Sequence, residues 1–567
     1  MAAEIRLPDI GDFKDVPIVE VHVRPGQSVA KEDVILTLES DKASLDVPAP
    51  AAGVIGEVKV KVGDKVSKGA LLALYAEGGA AAPGPAVFKA ASPAAAAKAD
   101  FECDVVVLGA GPGGYTAAFR AADLGKSVVL VDRRPTLGGV CLNVGCIPSK
   151  ALLHAAKVID EAAEMSERGV VFGPPRIDLD ALRGWKDGVV KRLTLGLTGL
   201  ARQRKVTIVT GEGAFTSPHT LAVAAAQGQR AIRFTAAIVA VGSEPAAPPF
   251  IPRDPRVWDS TDALELKFAP KRLLILGGGV IGLEMATVYR ALGSKITVIE
   301  MMDQLIPGAD RDIVAPLAGR LQKRYEAIRL ETKATAVEAR PDGLFVAFEG
   351  EGGAGSDVFD AMLVSVGRRP NGGAIGAEAA GIAIDGRGFV AVDGQMRTNV
   401  PHIFAIGDVV GQPMLAHKAS HQGMVAAEAA SGLRSAFDAK AIPAVAYTDP
   451  EVAWVGVTES EAEAKGLAFG RAVFPWAASG RSLSLGREEG LTKTLWDERS
   501  GRLIGCAVVG PNAGELIAEA TLAIEMGCQA EDVGLTIHPH PTLSETFMMS
   551  AEAFAGTLTD LYLPKKK

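Results

Sequence analysis

The sequence predicts a multidomain chain in which a small all-β sandwich precedes an α/β body built on two Rossmann-type dinucleotide-binding units. Three observations carry that expectation. They are an internal repeat near the N-terminus, an Ala-, Gly- and Pro-rich run over 78–100, and two copies of a strand, glycine-loop and helix pattern. At 567 residues the chain also exceeds what one hydrophobic core sustains, so several domains are expected.

Composition narrows the class. The 48% apolar and 22% charged residues are those of an ordered globular protein, because disorder requires far fewer side chains of the kind that bury. A net charge of -8 argues against a nucleic-acid-binding surface, and Lys565, Lys566 and Lys567 read as a solvated terminus. No apolar run reaches the roughly 18 residues of a membrane span, and Met1 to Ile10 lacks the basic-then-apolar pattern of a signal peptide. A cytoplasmic location is expected. In a reducing compartment five cysteines over this length do not form a disulfide scaffold. Cys103, Cys506 and Cys528 stand in apolar segments as small hydrophobes, whereas Cys141 and Cys146 are closely spaced.

The first module repeats itself. Residues 18–38 and 55–75 match at an offset of 37, pairing Glu20 with Glu57, Val21 with Val58, Val23 with Val60, Gly26 with Gly63, Val29 with Val66 and Lys31 with Lys68. Valines 19, 21 and 23, and again 58, 60 and 62, are spaced two apart as in strands with one buried face, which predicts a β-sandwich over 1–77. Between the halves lies Glu39-Ser-Asp-Lys-Ala-Ser44, expected at a hairpin tip with Lys42 in solvent. A lone exposed lysine is ordinarily just a solvated charge. Residues 78–100 cannot bury a core but can hold a chain extended, so they read as a swinging linker with a reach of about 70 Å at roughly 3.1 Å per residue.

Asp104 to Leu108 reads as a buried strand, followed directly by Gly109-Ala-Gly-Pro-Gly-Gly114 and a helical stretch. In that context Gly109, Gly111 and Gly114 permit a tight turn and close approach of backbone N–H groups to a pyrophosphate at a helix N-terminus. Val128 to Val131 then ends in Asp132, at the spacing of a ribose-binding carboxylate. The pattern recurs with Arg272 to Leu276, then Gly277, Gly279 and Gly282, then Ile296 to Ile299 ending in Glu300. One glycine turn could be mere close packing; two in this context predict two dinucleotides. Glu300 would accept both ribose hydroxyls and repel a 2′-phosphate, and no Arg follows before Arg311, which favours NAD over NADP.

Between the two motifs stands Gly138-Gly-Val-Cys-Leu-Asn-Val-Gly-Cys-Ile-Pro-Ser-Lys150. Pro148 suits the first turn of a helix continued by Ala151 to Val158. Cys146 therefore falls near a helix N-terminus, where the dipole favours the thiolate. The spacing is not that of a zinc ligand pair, and no Cys or His cluster completes a site, so no metal is expected.

On these motifs residues 101–567 resemble the dihydrolipoamide dehydrogenases of the flavin-disulfide reductase family, and residues 1–77 resemble the lipoyl domains of 2-oxoacid dehydrogenase complexes. The resemblance implies lipoate on Lys42, since biotinyl domains have a Met-Lys-Met context that is absent here. It implies that Cys141 and Cys146 form a redox-active disulfide, Cys141 exchanging with substrate and Cys146 contacting FAD. It further implies an ion pair of Lys150 with Glu284 beside the flavin and the nicotinamide. Val241-Gly242-Ser243 and Gly407-Asp408 match further FAD contacts, although the family's Thr is Val241 here. Met414-Leu415-Ala416-His417 matches the flavin-edge loop, and Gly213 and Gly367 match backbone contacts to FAD and NAD.

The same resemblance divides the body into an FAD-binding domain over 101–255 and 376–442, an NAD-binding domain over 256–375, and an α+β dimerisation domain over 443–567. In that last domain His540 and Glu545 match a catalytic pair acting across a homodimer; on chemistry alone His538 would serve as well, since both histidines are flanked by proline. The implied activity is oxidation of protein-bound dihydrolipoamide by NAD⁺, with the acyltransferase core and lipoyl domains of a 2-oxoacid dehydrogenase complex as partners. Glutathione-type relatives resemble NADPH-selective patterns with basic residues where Met301 and Met302 stand, and mercury-type ones need a C-terminal cysteine pair that Tyr562 to Lys567 lacks. A non-catalytic scaffold carrying a lipoyl arm is a further alternative, against which Cys141, Cys146, His540 and Glu545 all speak.

Overall fold

The computed structural model describes residues 4–7, 16–25, 27–29, 34–40, 43–51, 53–75 and 99–562. Lys42 and most of 78–100 lie outside the described residues. The chain divides into two compact units, Met1–Lys89 and Ala90–Lys567.

Among the described residues the first unit is two four-stranded sheets, and the 37-residue repeat is visible strand by strand. Val16–Val21, Ser28–Val29 and Val34–Ser40 correspond to Gly53–Val58, Lys65–Val66 and Leu71–Tyr75. Each half lends its short strand to the other half's sheet, Lys65–Val66 pairing with Val16–Val21 and Ser28–Val29 with Gly53–Val58. This exchange explains why the halves must be alike: each completes its partner's sheet. Ile5, Ile18, Ile35, Leu38, Ile55 and Leu72 fill the space between, and that burial supplies the main driving force for so small a module.

The second unit opens with a sheet whose parallel strands run Thr207–Thr210, Val128–Asp132, Phe101–Leu108, Gly228–Val239 and Ile403–Ala405. The last of these returns from far along the chain, so the domain is discontinuous. Apolar runs such as Val105, Val106 and Val107 are buried on both faces, as parallel strands covered by helices must be. A second, all-parallel sheet has the order Val257–Trp258, Ala361–Val364, Arg272–Leu276, Lys295–Ile299 and Ala327–Arg329.

A third sheet is antiparallel, ordered Ala444–Ala446, Glu451–Gly456, Leu503–Gly510, Leu491–Asp497 and Phe469–Pro475. The helices Ala513–Met526, Ala530–Leu535 and Glu545–Ala555 follow it in the chain and share its apolar core. Among the described residues no helix is long and apolar enough to cross a membrane.

Two charged clusters join these parts. Asp449 accepts from Arg320 at 2.8 Å and Arg324 at 3.1 Å and also meets Arg487, while Arg320 and Arg324 reach Glu164 on the helix Cys146–Glu164. Burial pushes the Asp449 carboxyl up, but Arg487 and Arg320 outweigh it and hold the group below its ordinary range. Asp310, Asp312 and Glu459 converge as three carboxylates in reach of one cation. The Lys493 ammonium already sits among them at 2.8, 2.7 and 3.0 Å, so this arrangement is a buried ion cluster between two domains.

Candidate redox site

Both glycine loops follow the same design. Gly109 has φ of +104°, and a Cβ there would lie 2.2 Å from the Ala240 carbonyl oxygen; Gly277 has the same φ and would meet Ser365 O at 2.5 Å. Only glycine meets both demands. The helices Pro112–Asp123 and Val280–Ala291 that follow are capped by Gly111 and Gly279 with no side-chain cap bond, and nothing lies within 4 Å of where either residue's Cβ would be. The first-turn N–H groups are thus left for an anionic group, which fits a pyrophosphate at each helix.

The carboxylates at the ends of the second strands also brace these loops. Asp132 accepts from Ala110 N at 2.6 Å and Arg134 N at 2.8 Å, and Glu300 accepts from Gly278 N at 2.7 Å and Met302 N at 2.8 Å. Each therefore ties a glycine loop to its neighbouring strand and keeps further lone pairs for a ribose hydroxyl. Met301 and Met302 are exposed, and Arg311 is paired with Asp303. Gly213 packs against Leu108, where a Cβ would fall 2.6 Å from Leu108 Cδ1; that crowding alone accounts for glycine there. Gly367 adopts φ of +129° and accepts from Ala246 N at 3.0 Å.

Cys141 lies in a short helix, Gly139–Val144, and Cys146 is the first residue of the next, Cys146–Glu164, with Gly145 between. The expected helix thus begins earlier and runs longer, and the Gly139–Val144 turn was not foreseen. Gly139 brings this segment against the first glycine loop, since a Cβ there would lie 2.5 Å from Gly111 Cα. In the structure both cysteines are thiols. A hydrogen bond from Cys141 and the Lys150 ammonium outweigh burial and lower the Cys146 thiol to about 7, while the same bond and burial push Cys141 up. Cys146 is exposed and Cys141 half-buried, so exposure does not sort the two by role.

Lys150 Nζ lies 2.9 and 3.0 Å from the two oxygens of buried Glu284, which also accepts the Tyr447 N–H at 3.1 Å. The Tyr447 ring stacks under the ammonium, 4.3 Å from Nζ to the centroid. Nearby, Ser243 Oγ donates to Asp408 at 2.6 Å and is itself gripped by Arg368 Nε at 2.7 Å; Asn371 donates to Val241 O at 3.0 Å. Met414 and Leu415 lead into the helix Ala416–Ala430. Buried Lys418 donates to Gly411 O at 2.5 Å and Pro413 O at 3.0 Å, holding that loop, and His417 Nε2 lies 2.8 Å from Pro443 O.

Sequence reasoning missed Arg368, Asn371 and Lys418, and it marked Tyr447 only as the start of the dimerisation domain, with no role beside Lys150. The polar run Gly367-Arg-Arg-Pro-Asn371 between apolar segments was the available signal for the first two.

His540 Nδ1 lies 2.9 Å from Glu545 Oε1, and Glu545 Oε2 accepts the Thr542 N–H at 2.7 Å. The imidazole side chain is 80% exposed, and among the described residues nothing is hydrogen-bonded to its Nε2. The ring is oriented from one side and free on the other, as a general base must be.

A twofold dinucleotide fold holding a vicinal thiol pair defines a pyridine nucleotide-disulphide oxidoreductase, and the family model of that description matches residues 103–423, with its dimerisation domain at 442–551 and a biotin-requiring enzyme module at 3–74. The chain belongs to the dihydrolipoyl dehydrogenases within that family. It is 58% identical over 470 residues to the dihydrolipoyl dehydrogenase of Vibrio cholerae, covering 82% of this chain and 99% of that protein. The Haemophilus influenzae dihydrolipoyl dehydrogenase is 56% identical over 82% of this chain and 98% of its own. Among solved structures, LpdA of Mycobacterium tuberculosis matches with TM-score 0.73 at 26% identity, covering 80% of this chain and 99% of that one. The HOCl-induced flavoprotein disulfide reductase RclA of Escherichia coli gives 0.70 at 27%, with 80% and 99% covered.

Proposed function

We propose that this enzyme oxidises protein-bound dihydrolipoamide to lipoamide with NAD⁺, as the flavoprotein of a 2-oxoacid dehydrogenase complex. The observation that carries the reading is the hydrogen-bonded thiol pair Cys141 and Cys146, set beside the Lys150–Glu284 ion pair in a chain 58% identical to a dihydrolipoyl dehydrogenase. FAD would be held by Gly109, Gly111, Gly114, Asp132, Ser243, Asp408 and the 414–417 segment, and NAD by Gly277, Gly279, Gly282 and Glu300. When bound, FAD supplies the two-electron link between the cysteine pair and the nicotinamide.

The protein's own part is thiol exchange and proton handling. One sulfur of the dithiol attacks Cys141 of the oxidised pair, forming a mixed disulfide and releasing Cys146 as thiolate. The second thiol then displaces Cys141, its proton passing to the departing Cys141 sulfur, which closes the lipoyl disulfide and leaves the cysteine pair reduced by two electrons. His540 takes the proton of the attacking thiol, because a thiol of pKa near 8.5 is mostly protonated at neutral pH. Glu545 orients the ring and stabilises the imidazolium. The Lys150 ammonium, which favours the Cys146 thiolate, makes Cys146 the better leaving group.

The His540 side chain is 80% exposed with its working nitrogen open, which supports a homodimer in which each His540 serves the partner's cysteines. The Glu39 to Ser44 context and the module matched at 3–74 support lipoate on Lys42, which would let the arm act with the acyltransferase core and lipoyl domains of the complex. This reading places the enzyme in the cytoplasm, where reducing conditions keep Cys103, Cys506 and Cys528 as thiols. Turnover of dihydrolipoamide with NAD⁺, compared between the native chain and Cys146→Ser, tests it. The native enzyme turns over and the variant does not; equal rates would discard the redox role of the pair.

A further inference from the structure

His538 and His540 are chemically alike in the sequence, and the structure gives them different surroundings. His538 Nδ1 lies 2.8 Å from the Thr536 carbonyl oxygen, and Nε2 lies 2.8 Å from Glu519 Oε1. Its side chain is 4% exposed. A carbonyl oxygen can only accept, so Nδ1 carries a proton. At the other end Nε2 lies within hydrogen-bond distance of the Glu519 carboxylate. Both ring nitrogens are thereby engaged. Glu519 projects from the helix Ala513–Met526. The ring therefore ties its own loop to that helix.

We propose that His538 is a positioning residue for the catalytic loop: a buried ring, bonded at both nitrogens, that fastens the segment between Leu535 and Glu545 to the helix Ala513–Met526 and so fixes the backbone from which His540 reaches its substrate. It takes no proton from the dithiol, because neither nitrogen is free to accept one. The inference rests on the reading of His540 as the base.

The test is a kinetic cycle. Dihydrolipoamide turnover is measured for His538→Ala, His540→Gln and the double variant, with FAD content and melting temperature alongside. Because His538 acts through His540, the alanine change should lower kcat about tenfold in the native background and less than about twofold in the His540→Gln background. His538→Asn can restore the bond to Thr536 and His538→Gln the bond to Glu519, so each should recover part of the loss. Should the alanine variant fail to fold, these two amide variants enter the same cycle. Equal losses in both backgrounds would overturn the proposal.

Labelling with diethyl pyrocarbonate and peptide mass analysis reads the ring nitrogens without turnover. The expected result is His540 labelled, His538 slower by about tenfold or more, and His538 labelling raised in Glu519→Gln. Labelling of His538 as fast as His540 would overturn the assignment in any enzyme, active or not. An inactive native enzyme with His538 protected would contradict the proposed function while supporting the pairing described here.

Discussion

Glu545 holds His540 by one carboxylate oxygen and the backbone of Thr542 by the other, at 2.9 and 2.7 Å. The carboxylate is buried and the imidazole stands in solvent, so orientation is set from within while the far nitrogen stays accessible. His540→Gln should lower dihydrolipoamide turnover about 100-fold or more, the scale of losing a general base, with FAD content unchanged. Glu545→Gln should lose less, because an amide oxygen can still accept one of the two bonds. Steady-state kinetics of the two variants decide this, and a larger loss from Glu545→Gln would contradict it.

The thiol pair predicts a titration. With Cys146 lowered to about 7, alkylation of the reduced enzyme at that residue should follow a midpoint near that pH, where an ordinary thiol would show about 8.5. Below the midpoint the thiolate is lost and the rate falls. Cys141→Ala removes the largest stabilising bond and should move the midpoint upward, with Lys150 still limiting the rise. An unchanged midpoint would show that Cys141 is not the donor. In the same reduced enzymes Cys141→Ser should keep a long-wavelength thiolate-to-flavin absorbance and Cys146→Ser should lose it.

Glu300 predicts coenzyme choice. Its carboxylate, with exposed Met301 and Met302 beside it and Arg311 paired with Asp303, should favour NAD⁺ over NADP⁺ by more than about tenfold in specificity constant, since each 1.4 kcal/mol is a factor of ten. Glu300→Gln should narrow the gap by removing the repulsion of a 2′-phosphate. Comparable constants for the two coenzymes in the native enzyme would refute this reading.

Much of this was legible in the sequence for a physical reason. The glycine loops announce themselves because Gly109 and Gly277 meet a positive φ and a carbonyl within 2.5 Å, demands that no other residue satisfies. The N-terminal repeat was legible because each half must complete the other's sheet. Side-chain partners far apart in the chain were not legible from pattern. Lys150 and Glu284 are 134 positions apart, Ser243 and Arg368 are 125 apart, and Lys493 meets Asp312 across 181. The first pair was reached only through resemblance, and the other two were not reached at all. The alternative between His538 and His540 likewise turned on Glu519, a partner in another helix that no local spacing reveals.

Lys42 should carry lipoate when the chain is expressed with a lipoylation system. Intact-mass analysis of residues 1–77 checks it, with the mass of one lipoyl group expected. An unmodified module under those conditions, or biotin in its place, would discard the assignment.

The central claim is that two chains build each site, the cysteine pair from one and His540 from the other. Mixing His540→Gln subunits with Cys146→Ser subunits, each inactive alone, tests it most directly. In random mixing half of the dimers are mixed and each of those carries one complete site of two, so activity should return to about a quarter of the native value. No recovery in verified mixed dimers would place each site within a single chain and contradict the account.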